Sequence, residues 1–219
     1  MPLESTAATL RISEIFFSLQ GEAARIGLPS VFIRLTGCPL RCAWCDTAYA
    51  FTGGETLTLA EILARARACP TRHVCVTGGE PLAQKNCLAL LTLLCDQGYD
   101  AALETSGALD IGEVDARVAR ILDLKTPSSG EVDKIRWENL PLLTRRDEIK
   151  IVIADRADYD WATARIREHE LPARCGVLFS PVQGRQDATE LAEWILADGL
   201  DVRFQIQLHK QLWGNMQGK

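Results

Sequence analysis

The sequence predicts an α/β fold in which mostly parallel strands alternate with helices and wrap into an incomplete (β/α) barrel. Apolar, β-branched runs recur along the chain, stretches with helical spacing fill most of the intervals, and the runs number about seven, too few for an eight-fold closed barrel. The first run, SVFIRLT (30–36), is apolar on both alternating faces, as a strand buried in a parallel sheet should be. HVCVT (73–77), DAALET (100–105), RILDL (120–124), EIKIVIA (148–154), CGVLFS (175–180) and VRFQIQL (202–208) are further apolar, β-branched runs and read as strands. Between them, TLAEILARARA (58–68), PLAQKNCLALLTLLCDQG (81–98), YDWATARIREH (159–169) and ATELAEWILADG (188–199) carry the helical period, and several end on Gly or Pro. KTPSSGEVDKIRWENLPLL (125–143) is the longest stretch without clear period, and its first half is expected to be a mobile active-site loop. No low-complexity linker interrupts the chain, so residues 1–219 are read as one domain.

Charge and hydropathy narrow the function classes. Lys+Arg 24 against Asp+Glu 29 leaves a net charge of −5, which disfavours a direct nucleic-acid surface and suits a small-molecule pocket. The opening residues MPLESTAATL have neither a basic start nor a long apolar run, and nowhere do eighteen apolar residues follow one another. The expectation is a cytoplasmic protein without a membrane partner.

Eight cysteines stand at 38, 42, 45, 69, 75, 87, 95 and 175. Cys69, Cys75, Cys87, Cys95 and Cys175 are scattered among apolar residues and are read as packing. Cys38, Cys42 and Cys45 instead share the Gly- and Pro-punctuated segment GCPLRCAWCDTAY (37–49). A structural zinc site wants four ligands, and the three histidines, His73, His169 and His209, are distant in sequence, which leaves zinc incomplete but open. An iron–sulfur cube held by three thiolates keeps its fourth iron free for an external ligand. The loops after the other strands, Gly78-Gly79-Glu80-Pro81, Ser106-Gly107, Lys125-Thr126-Pro127 and Pro181-Val182-Gln183-Gly184, fall at the same end of the expected sheet, where barrels of this kind build active sites. Arg34 lies in an otherwise apolar strand just ahead of the cysteine loop, and its planar fork suits a carboxylate.

The Cys38-x3-Cys42-x2-Cys45 spacing, followed about thirty residues later by TGGEP (77–81), resembles the radical S-adenosylmethionine (SAM) superfamily. There, SAM chelates the open iron of a [4Fe-4S] cluster and is cleaved by one electron to a 5′-deoxyadenosyl radical. A narrower resemblance runs through EIFFSLQGEAARIGLPSVFIRLTGCPLRCAWCDTAYAF (14–51), VTGGEPL (76–82), ETSG (104–107), LDLKTPSSGE (122–131), FSPVQGR (179–185) and QLHKQLWG (207–214). These stretches are similar to the 7-carboxy-7-deazaguanine synthase family. That resemblance implies conversion of 6-carboxy-5,6,7,8-tetrahydropterin to 7-carboxy-7-deazaguanine with loss of ammonia, on a queuosine-type route. It also implies a [4Fe-4S] cluster, SAM and Mg²⁺ as cofactors, a homodimer, and an electron donor such as flavodoxin or ferredoxin.

Residue by residue, the resemblance implies cluster ligation by Cys38, Cys42 and Cys45 and Mg²⁺ ligation by Thr47. It implies SAM contacts from Trp44, Cys45, Asp46, Gly79, Asp123, Leu124, Lys125, Ser180, Pro181, Val182 and Gln183. Leu19, Gln20, Gly21, Arg34 and Thr77 correspond to substrate-contacting positions, with Gln20 reading the pterin edge through its amide. His209 is placed either within reach of the substrate or at the surface, and is left out of the assignment. Many members carry QGEG where this chain has Gln20-Gly21-Glu22-Ala23, and some end soon after the segment matching His209-Lys210, beyond which this chain continues as WGNMQGK. Two rivals share parts of the pattern: a glycyl-radical activase, and a zinc-binding module without enzyme activity.

Overall fold

A computed structural model describes residues 8–219. In chain order the regular elements are β1 (Thr9–Leu19), β2 (Pro29–Leu35), β3 (Glu55–Thr58), α1 (Leu59–Arg67), β4 (His73–Gly78), α2 (Cys87–Asp96), β5 (Asp100–Thr105) and β6 (Ala119–Asp123). They continue with β7 (Glu148–Ile153), α3 (Arg156–Glu168), α4 (Leu171–Arg174), β8 (Gly176–Pro181), α5 (Ala188–Asp198), β9 (Arg203–Phe204) and α6 (Leu208–Trp213). All nine strands form one sheet in the order β3-β1-β2-β4-β5-β6-β7-β8-β9. From β2 to β9 every pairing is parallel, and only β1 with β2 and with β3 is antiparallel. The outermost strands, β3 and β9, do not pair with each other, so the barrel is incomplete, as the sequence predicts.

The six interior parallel strands lie where the apolar runs place them, with β2, β4, β5 and β8 buried largely on both faces and β7 buried on one. Val31, Ile33 and Leu35 of β2, Val74 and Val76 of β4, and Ile149, Ile151 and Ile153 of β7 are almost wholly enclosed, and Leu90, Leu91 and Leu94 of α2 pack over the same core. Helix starts follow capping chemistry. Thr58 and Glu61 form a reciprocal capping box on α1, while Asp155 and Asp187 accept from the third backbone N–H of α3 and α5.

Three expectations are corrected. β1 and β3 were not foreseen: TLRISEIFFSL mixes Arg11, Glu14 and Ser18 into its apolar pattern, as an antiparallel strand with one wetter face does, and β3 has only four residues. The run VRFQIQL is strand only at Arg203–Phe204, because an edge position offers a single neighbour, and from Leu208 the chain turns helical. The segment after β6 is fastened rather than free. Thr126 and Ser129 are fully buried, and the buried Asp158 accepts bonds from Thr126 Oγ1 (3.0 Å) and Ser128 N (3.0 Å).

Glu80 shows how the ends of the central strands are tied. Its fully buried carboxylate accepts from Thr105 Oγ1 (2.9 Å), Ser106 N (2.7 Å) and Leu82 N (3.0 Å), which joins the end of β4 to the end of β5. A buried charge without such partners would be costly, so this glutamate is structural.

Candidate active site

A cavity of about 760 Å³ opens at the carboxyl ends of the parallel strands. Of the residues singled out from sequence, Leu19, Gln20, Gly21, Arg34, Cys38, Cys42, Trp44, Cys45, Asp46, Thr47, Thr77, Gly79, Asp123, Lys125, Val182 and Gln183 line it. Leu124, Ser180 and Pro181 do not: all three are buried behind the wall. Strand alternation explains Leu124, since side chains at 123 and 125 face the cavity and the one between them points into the core.

The cysteine loop follows β2, and Gly37, at φ +98°, turns it away from the strand. Gly37 N donates to Ala50 O (2.8 Å) and Glu80 N donates to Gly37 O (2.7 Å), which anchors the loop at its root. Gly79 packs directly against that root. A Cβ there would come 2.6 Å from the Gly37 carbonyl carbon and 2.8 Å from Cys38 Cβ, so glycine is required by space. Cys38, Cys42 and Cys45 are free thiols, each partly buried. Burial pushes the Cys38 and Cys42 thiols up, an opposing pull at Cys42 coming from Lys125. Among the described residues no three His, Cys, Asp or Glu side chains are grouped closely enough to hold a single ion. Three thiols around one cavity, with no fourth ligand, fit a body wider than a single ion that keeps one corner open.

A charge network lines the wall opposite. Asp123 Oδ2 pairs with Lys125 (3.0 Å) and Lys150 (3.3 Å), and Lys150 also bonds Glu22 Oε2 (2.6 Å), whose other oxygen accepts from Gln207 Nε2 (2.6 Å). Burial alone would lower both lysines, but Asp123, joined at Lys150 by Glu22, raises them, and Asp123 in turn is held below its usual range. Asp123 Oδ1 is buried without a partner, a free acceptor at the cavity wall. A ligand carrying ammonium or hydroxyl donors would satisfy it.

Arg34 makes the rim pair that its position in an apolar strand allowed: its Nε donates to Glu14 Oε1 (2.7 Å) across the β1–β2 register. The guanidinium also lies over Phe16 and Tyr49, and Tyr49 Oη donates to the same glutamate oxygen (2.7 Å). Burial, together with the hydroxyl's bond to Glu14, pushes the Tyr49 phenol up to about 12, against the pull of Arg34. With Nε committed, the terminal guanidinium nitrogens are the edge Arg34 presents to the cavity.

The Gln20 amide is committed internally, contrary to the expectation of a free edge reader. Its oxygen accepts from Gly21 N (2.8 Å) and Glu22 N (3.3 Å), and Nε2 donates to Glu104 Oε1 (3.3 Å). Thr77 Oγ1 donates to Glu104 Oε2 (2.9 Å), so Glu104 gathers two of the sequence-nominated residues without having been nominated itself. Ala23 adopts φ +63° and is held by Gln205, whose amide accepts from Ala23 N (2.6 Å) and donates to Ala23 O (3.2 Å).

The chain after β9 completes the cavity. Leu208 N donates to Gly21 O (3.0 Å), Lys210 pairs with Asp46 (2.8 Å), and His209 packs on Gly21, where a Cβ would come 3.0 Å from its Cγ. Burial lowers the His209 pKa despite Glu22 and Asp46, and the ring lines the cavity rather than the surface. Sequence reasoning missed Glu22, Glu104, Lys150 and Lys210. Glu22, Glu104 and Lys210, inside the quoted 14–51, ETSG and QLHKQLWG stretches, carried a local signal, and Lys150 did not.

Comparison with known proteins agrees with this geometry. The Radical SAM superfamily matches residues 32–195. The 7-carboxy-7-deazaguanine synthase of Chlorobaculum tepidum is 46% identical over 95% of this chain and 96% of its own, and that of Koribacter versatilis is 44% identical over 93% and 97%. A crystal structure of QueE from Escherichia coli superposes with a TM-score of 0.77 at 26% identity, covering 92% of this chain and 95% of that one. Matches of this extent leave neither an activase nor a zinc module as an account of the sequence. The chain is a radical SAM enzyme and belongs to the 7-carboxy-7-deazaguanine synthase family.

Proposed function

We propose that this enzyme converts 6-carboxy-5,6,7,8-tetrahydropterin to 7-carboxy-7-deazaguanine with release of ammonia, in 7-deazapurine biosynthesis. The observation that carries the reading is one cavity shared by three thiols, a lysine–aspartate network and a guanidinium edge, in a chain whose relatives of that name match nearly end to end. Cys38, Cys42 and Cys45 would hold a [4Fe-4S] cluster. Trp44, Asp46, Gly79, Asp123, Lys125, Val182 and Gln183 would surround SAM, with Leu124, Ser180 and Pro181 supporting them from behind the wall. When bound, the cluster and SAM supply one-electron cleavage to a hydrogen-abstracting 5′-deoxyadenosyl radical.

The chain's own residues do the placing. Arg34, steadied by Glu14, would offer its terminal nitrogens to the substrate carboxylate in a charge-assisted pair. Leu19, Gly21 and Thr77 would bound the pterin, while Gln20 shapes the loop that holds them. Thr47 would give Mg²⁺ an oxygen ligand, and substrate oxygens and water the remainder, as a hard cation prefers. His209, its pKa lowered by burial, and the segment beyond it would cover the site and limit water access.

The reading extends to a homodimer in the cytoplasm, with residues 1–219 acting as one domain and electrons arriving from a flavodoxin or ferredoxin. No helix among the described residues is long and apolar enough to cross a membrane. Anaerobic reconstitution followed by incubation with SAM, Mg²⁺, a reductant and the pterin, read by mass spectrometry, tests the reaction. The expected products are 7-carboxy-7-deazaguanine and ammonia; SAM cleavage with the pterin left unchanged would overturn the substrate.

A further inference from the structure

Cys42 sits between two main-chain N–H groups that reach out of the cysteine loop to one neighbouring segment. Arg41 N donates to Glu131 Oε1 (2.6 Å), and Ala43 N donates to Ser129 O (3.0 Å). The other two are held differently: Cys38 follows the Gly37 root that bonds Ala50 and Glu80, with Leu40 N leaning on its Sγ (3.4 Å), and Cys45 N turns back to Cys42 O (3.2 Å). Glu131 makes no ion pair with Arg41. That side chain is occupied elsewhere, donating to Cys38 O (2.8 Å) and Leu40 O (2.6 Å) with its guanidinium 4.2 Å from the Phe51 ring centre. The carboxylate therefore serves a backbone amide.

The gripping segment is itself immobilised from the core outward. Asp158, fully buried in α3, accepts from Ala154 N (3.1 Å), Ser128 N (3.0 Å) and Thr126 Oγ1 (3.0 Å). Ser129 Oγ donates to Thr126 O (2.6 Å) and accepts from Glu131 N (3.1 Å). Gly130, at φ +77°, makes the turn that brings Glu131 back towards the loop.

We propose that Glu131 is a positioning residue for Cys42, holding the cysteine loop in ligand-ready shape through the Arg41 amide. This rests on the reading that Cys38, Cys42 and Cys45 carry the cluster. Partners that orient metal ligands from behind are worth about 10–100-fold in metal retention. A carboxylate on a backbone amide is also stronger than a neutral acceptor.

The test compares Glu131→Ala and Glu131→Gln with the parent. In apoprotein, hydrogen exchange at the Arg41 amide should be faster by about tenfold or more in Glu131→Ala and within about threefold of the parent in Glu131→Gln, which keeps an acceptor oxygen. After anaerobic reconstitution, loss of cluster absorbance to a chelator should follow the same order, with the thermal midpoint of both apoproteins within about 2 °C of the parent. Unchanged exchange and unchanged cluster loss in Glu131→Ala would overturn the proposal, as would equal losses in the two variants, which would point to charge and not to the bond. A parent protein unable to hold iron would instead overturn the ligand assignment beneath it.

Discussion

Gly79→Ala isolates the contact between the glycine loop and the root of the cysteine loop. The added methyl carbon would stand 2.6 Å from the Gly37 carbonyl carbon, about 0.9 Å inside an ordinary carbon contact of about 3.5 Å, and 2.8 Å from Cys38 Cβ. Neither neighbour can yield freely. Gly37 is bonded on both sides, through its N to Ala50 and through its O to Glu80 N, and Gly79 N is itself tied to Leu35 O (3.2 Å). Overpacking costs about 1–3 kcal/mol, and a collision with bonded backbone belongs at the upper end. For a domain of this size that lowers the thermal midpoint by roughly 5–10 °C. The movement that relieves the clash displaces Cys38, so reconstituted iron content should fall together with stability. Differential scanning calorimetry of apoprotein and iron analysis of reconstituted protein read the two effects. A midpoint within about 1 °C of the parent with full iron content would refute the reasoning.

Cys42→Ala is expected to abolish cluster assembly and turnover together, and an intact [4Fe-4S] absorption spectrum would refute the ligand assignment. Thr47→Ala should weaken the apparent affinity for Mg²⁺, with unchanged metal dependence of turnover counting against that residue. Because the Tyr49 phenol is raised to about 12 from an ordinary value of about 10, the neutral hydroxyl is favoured in the folded state. Its contribution is fully present below pH ~10 and is lost as pH rises through 12. Denaturant unfolding should therefore show Tyr49→Phe losing less stability than the parent between pH 10 and 12; parallel curves would contradict this.

What could be read in advance follows from how local each signal is. The strand around Val74–Val76 announces itself because burial on both faces demands unbroken apolar sequence, and Ile149, Ile151 and Ile153 do so by strict alternation, whereas β1 carries Arg11 and Glu14 on a wetter face and hides its period. The cysteine loop was legible because its three thiols lie within eight consecutive positions. Glu104 meets Gln20 across 84 positions, and Lys150 meets Glu22 across 128, so those pairings exist only once the sheet has assembled. Leu124, Ser180 and Pro181 were carried over with their neighbours, although alternation alone sends Leu124 inward. Gln20 was legible as part of the site but not in its role, since nothing in sequence shows an amide to be already spent on its own loop.

The bond pair between Gln205 and Ala23 behaves as a seam. A single side-chain amide imitates one rung of a ladder, joining the strand that leads out of the sheet's last edge to the turn after its longest strand. Parting that seam, with the nearby bonds from Leu208 N to Gly21 O and from Gln207 Nε2 to Glu22 Oε1, sacrifices four hydrogen bonds, each worth about 0.5–1.5 kcal/mol net. All eight strand pairings stay intact. Unlacing the vessel along that side, which also costs the Lys210–Asp46 pair, would leave the framework that registers its reactive groups in shape.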